Sequence, residues 1–157
     1  MLMRKFSKIV HSIASAGLIG GIGCYLVLIA VAVPESADGY LQMRNSILLV
    51  TNWVIVPSLI IALFTGLVSM VVHDPFQDKG WVWLKAGLGV IMFQSLMVSI
   101  TGRAKEGASI ARDVAAGEVS PSVIEAAYSG EWYTLWFIMA VSIANVVLGV
   151  WRPRRMI

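Results

Sequence analysis

The chain is poor in the groups that most chemistry needs. It has one cysteine and two histidines, and only 13% of its 157 residues are charged, against about 25% in a typical soluble domain. A single thiol, Cys24, excludes an internal disulfide and a cysteine-based metal cluster. Lying in an apolar run, it reads as a small packing residue. There is no zinc-type ligand spacing, no nucleophile elbow and no phosphate-binding glycine loop. No carboxylate falls inside a long apolar run, which argues against a proton pump or an ion-coupled transporter. The eight methionines are scattered, a weak basis for copper binding. The net charge of +3 is modest and its basic residues crowd the two termini, a pattern for an anionic membrane face and not for nucleic acid.

What the chain has in abundance is apolar length. It is 58% hydrophobic, with a mean hydropathy of +0.80. Four runs stand out, at about 9–33, 47–72, 81–101 and 132–151, each near the ~20 residues that cross ~30 Å of hydrocarbon. Backbone polar groups in lipid must pair within their own segment, so runs of this length are helices. The expectation is an all-α, four-transmembrane-helix bundle forming a single integral membrane domain over 1–157. The first run follows a basic start, "MRKFSK", but is longer than the apolar core of a signal peptide and reads as a retained span. Arg4, Lys5 and Lys8 at one end and Arg152, Arg154 and Arg155 at the other predict that both termini face the cytoplasm, in a bacterial inner membrane.

The connections differ in kind. "PESADGYLQMR" reads as an outward loop and "HDPFQDKG" as a short inner turn, ended as a helix by Asp74-Pro75. The third connection, about 102–131, is too long for a plain loop and predicts a short outward helical cap. "GRAKEGASIARDVAAGE" can continue span three to about Gly117. "SPSVIEAAYSG" reads as a separate short helix that starts at Pro121, has Ser122 and Glu125 at capping-box spacing, and ends at Gly130.

Ser12, Ala16, Gly20 and Cys24 recur every four residues in span one, with Gly17 and Gly21 beside them. Such a face permits close helix approach, within the bundle, to a membrane-protein partner or in a homo-oligomer. Pro57 is expected to bend span two. Trp53, Trp81, Trp83, Trp132, Trp136 and Trp151 fall near span ends, as interfacial anchors do. Asn52 and Gln94 fall at similar depth on adjacent spans and could hydrogen-bond, while Asn145 lies deeper in span four.

One constellation carries chemistry. His11 opens span one, Met70 and His73 close span two, and Lys85 begins span three, all at the same membrane face. A neutral imidazole can ligate haem iron or a metal, with methionine as a second axial ligand, and lysine can pair with an anionic group. Ionisable groups inside a membrane are functional candidates by default. Each also has a plain role: Lys85 can snorkel to the headgroups, His73 can belong to the loop, and His11 can extend the basic terminal patch.

"FSKIVHSIASAGLIGGI", "VPSLIIALFTGLVSM" and "GWVWLKAGLGVIMF" resemble the first three helices of a group of four-helix bacterial membrane proteins. That group includes HemJ-type protoporphyrinogen oxidases and CopD-like domains. The shared order is His, then TG, then W-x-x-K, over about the first 100 residues. In the HemJ type the first-span histidine and third-span lysine are the functional pair and haem b is bound. The resemblance therefore implies His11 as a haem-iron ligand, with Met70 or His73 as a possible second, and Lys85 as the catalytic or substrate-binding group. The leading expectation is a haem-linked redox membrane protein. The rival is a non-catalytic accessory or assembly subunit of a larger membrane complex.

Overall fold

The computed structural model describes residues 2–31, 36–71, 79–120 and 122–151, with side chains from 5–30, 36–71, 79–120 and 130–151. It is a bundle of four long helices: α1 (Leu2–Val31), α2 (Ala37–Val71), α3 (Gly80–Ala115) and α4 (Ser122–Trp151). Each contains a segment long and apolar enough to cross a bilayer. The chain is thus a multi-pass membrane protein, and its outward surface fits a lipid environment. Exposed apolar side chains such as Phe6, Ile13, Phe64, Val71, Trp83, Phe137 and Val150 form that surface.

α2 and α3 are longer than a membrane is thick. With 35 and 36 residues, they extend about 52 and 54 Å, against about 30 Å of hydrocarbon. The large exposed apolar residues begin at Leu49 on α2 and stop at Val98 on α3, so the surplus of both helices lies at the end opposite the termini. There the two halves pack on each other. Tyr40, Met43, Arg44 and Ile47 of α2, at helical spacing, face Ala104, Gly107, Ala108, Ala111 and Val114 of α3.

This alters two expectations. "ADGYLQMR" is not a loop: Ser36 caps the helix, its Oγ accepting from Gly39 N at 3.1 Å, and Asp38 favours the first turn. Gly130 does not end a short helix, because α4 runs unbroken from Ser122 to Trp151. The absent side chain instead makes room for Arg103, since a Cβ on Gly130 would lie 2.7 Å from Arg103 Nη1. The predicted cap is therefore built largely from extended spans. α3 ends as expected: Gly117 has φ 75°, Gly117 N donates to Val114 O and Glu118 N to Asp113 O, a Schellman stop that favours glycine. The predicted Ser122–Glu125 capping pair lies outside the described side chains.

Both long helices change pitch at mid-length. Thr51–Ile55 in α2 and Leu96–Ile100 in α3 are π-helical. In α2 the widened turn comes just before Pro57, whose missing N–H and ring would break a regular α-turn. In α3, Thr101 adds a side-chain bond to Leu96 O at 3.2 Å.

The small residues of α1 divide. Gly17 and Gly21 face α2, where a Cβ would meet Ser58 Oγ at 2.6 Å and Ile55 Cγ1 at 2.7 Å. Ser12, Ala16, Gly20 and Cys24 are exposed. Asn52 and Gln94 are both exposed. Trp53, Trp83, Trp136 and Trp151 are exposed, whereas Trp81 is buried and turns inward.

Candidate functional site

All four helices enclose a cavity of about 570 Å³ at the end that carries the termini. That volume is in the range of small-molecule sites. His11 of α1, Met70 of α2 and Lys85 of α3 all line it. His73 lies outside the described residues.

His11 is oriented by α2. Its Nδ1 lies 2.9 Å from Ala62 O and 3.1 Å from Thr65 Oγ1. A carbonyl oxygen only accepts, so Nδ1 carries the hydrogen. The Thr65 hydroxyl spends its own hydrogen on Ile61 O at 2.6 Å, leaving its lone pairs toward the imidazole. Nε2 is then the basic nitrogen, and it has no hydrogen-bond partner among the described residues. A second-sphere bond of this kind is what fixes the tautomer of a metal-ligating histidine. Gly66 follows Thr65 and lets the ring lie close: a Cβ there would sit 3.5 Å from His11 Cε1. The polar seam continues toward the chain terminus, with Ser7 Oγ and Ser69 Oγ 3.0 Å apart.

Lys85 occupies the opposite wall, against α4. A Cβ on Gly149 would come 2.5 Å from Nζ, so glycine there makes room for the ammonium. Asn145 Nδ2 approaches Lys85 O at 3.5 Å, while its Oδ1 is buried without a hydrogen-bond partner. The described lining holds Lys8, His11 and Lys85 and no carboxylate. The described lining is thus basic with apolar walls and suits a ligand with an acidic end.

A second polar group lies at the far end of the bundle and was not legible as a site. Arg44 of α2 and Glu131 of α4 form an ion pair, with Nη1 2.9 Å from each carboxylate oxygen. Tyr25 OH donates to Glu131 Oε1 at 3.0 Å, and Arg44 Nε donates to Tyr40 OH at 2.9 Å. Arg44 and Glu131 are 0% and 3% exposed. A Cβ on Gly107 would lie 2.8 Å from the guanidinium carbon, so α3 also makes space for it. The bundle thus does contain a buried carboxylate, contrary to the reading of the apolar runs. Its neighbours hold it in a closed pair, so it links α1, α2 and α4 as a structural clamp. Glu131 stands one residue before the predicted fourth span and Arg44 in a predicted loop, where single charges read as interfacial.

Comparison with protein-family profiles, curated proteins and solved structures finds no match. Nothing in these comparisons links the chain to HemJ-type or CopD-like proteins. The fold and cavity define a four-span membrane protein with an intramembrane chamber.

Proposed function

We propose that the protein is a haem-linked redox protein of a bacterial inner membrane, with its chamber near the cytoplasmic face. The observation that carries this reading is the His11 ring. Its Nδ1–H is tied to Ala62 O and Thr65 Oγ1, and Nε2 is left unbonded at the wall of a largely apolar cavity.

The donor set suits haem b better than a bare ion. Among the described residues no three His, Cys, Asp or Glu side chains gather to hold a metal, whereas haem would bring its own nitrogen ligands and would need few from the protein. His11 would hold the iron, and Met70, which also lines the chamber, is a candidate second ligand. Bound haem supplies one-electron chemistry. The chain's own part is to set the imidazole tautomer, exclude water with apolar helices, and offer the Lys85 ammonium to an acidic group of the cofactor or substrate. The basic termini support the cytoplasmic placement of this end.

The test is the visible spectrum of the purified full-length chain. A Soret band that is lost in His11→Ala supports the reading. A colourless protein that copurifies with stoichiometric partners would replace it with the accessory-subunit reading.

A further inference from the structure

We infer that the chamber is filled from the lipid side, through a cleft between α1 and α4, and that its substrate is a chain-like amphipath with an acidic head. The chain lies in the cleft and the head reaches Lys85. The inference shares with the functional reading only the assignment of Lys85 as the substrate-facing group, and it does not depend on haem.

The cleft follows from helix register. α1 and α4 run antiparallel and touch where a Cβ on Gly23 would lie 3.9 Å from Met139 Cε. Equal steps of rise along both helices bring Ala16 level with Val146 and Ser12 level with Val150. All four line the chamber, yet all four are exposed, Val146 by 41% and Val150 by 79%. Helices in contact at this level would bury them. The helices therefore part below Gly23 and Met139, and the chamber opens between them. From Ser12 to Ile19, both lining residues, the trough runs about 10 Å.

Its surroundings say what can enter. The outward neighbours at this depth, Ile9 and Ile13 on α1 and Ile143 and Val147 on α4, are exposed and apolar, so the opening faces hydrocarbon and not water. A trough flanked by the small side chains of Ser12 and Ala16 and bordered by exposed apolar residues admits an acyl chain more readily than a polar solute. The inner end is polar and cationic, with Lys85 beside Gly149 and the unpartnered Asn145 Oδ1 nearby. No described lining residue is acidic. A carboxylate or phosphate head meets a complementary charge there, whereas a cationic head meets Lys85 and is repelled. This also gives a use for the small-residue stripe of α1: its lower part, Ser12 and Ala16, lines an opening instead of a helix contact.

Trp81 lines the chamber and reports occupancy. Full-length protein in detergent is titrated with dibromostearate, with the matching dibrominated alcohol and with dibrominated phosphatidylglycerol. The quenching that disappears in Trp81→Phe is the chamber signal. The acid should quench saturably and bind about tenfold or more tightly than the alcohol, as a charge-assisted bond predicts. That preference should vanish in Lys85→Gln and persist in Lys85→Arg. Ala16→Phe should abolish the signal, while Ala16→Ser, which leaves the cleft open, should retain it. Quenching by the free acid identifies a fatty acid as the source of the head, and quenching only by phosphatidylglycerol identifies a phospholipid. No Trp81-dependent quenching by either, or quenching indifferent to both Lys85→Gln and Ala16→Phe, overturns the inference. Lys85-dependent quenching in a protein without a Soret band refutes haem and leaves the cleft standing. A His11-dependent Soret band without quenching does the reverse.

Discussion

His11 and Lys85 face one chamber, but different devices hold them, and their variants should fail differently. The imidazole is fixed by two acceptors on α2. Thr65→Val removes one and leaves Ala62 O, so, if the proposed haem is bound, its affinity should fall by about tenfold, the low end for losing an outer-sphere partner. Haem titration of the apoprotein measures it. The ammonium lies against α4, where Gly149 stands and a Cβ would meet Nζ. In Gly149→Ala the end of a flexible side chain moves aside at little cost, while helix propensity gains about 0.5–1 kcal/mol. Thermal stability should hold or rise slightly while binding of the acidic amphipath weakens. A parallel fall in both would mean that Lys85 is a structural strut.

Between helices, the clamp and the glycines make sharper predictions about stability. Glu131→Gln leaves the buried Arg44 guanidinium without its counter-charge and should cost about 3–5 kcal/mol, as breaking a buried pair does. Replacing both residues by leucine should recover part of that loss. Unfolding midpoints in a mild detergent distinguish the two variants. Gly20 and Gly21, adjacent in sequence, should answer alanine with opposite signs. Gly21→Ala drives a methyl toward buried Ile55 and destabilises, whereas Gly20→Ala meets open space and is neutral or stabilising. Their roles could not be separated from spacing alone, since both belong to a run of small residues and only rotation about the helix axis decides which one faces α2. The four spans were legible because charge is so thoroughly absent from them. Arg44 and Glu131 were not, because each lies at the margin of a run, and their partnership spans 87 residues of sequence. The Tyr40, Met43, Arg44, Ile47 spacing was present in the sequence, but its polar neighbours gave it the look of a loop.

Taken whole, the molecule is asymmetric across the membrane: a chamber at the end with the termini, a clamped helical extension at the other. With the basic termini inside, Glu106→Cys should react with an impermeant thiol reagent added outside intact cells, and Lys79→Cys only after lysis. The opposite pattern would move the chamber to the outer face. The two ends are connected by the paired π-helical turns of α2 and α3. One additional residue in a turn advances the helix by about 100° of phase. This lets α2 present one side to α1 in its lower half and another to α3 in its upper half. Removing a single residue from Thr51–Ile55 would act like skipping a tooth on a gear: the chamber wall would keep its orientation, and every residue before the gap, Arg44 among them, would swing out of mesh with its counterpart.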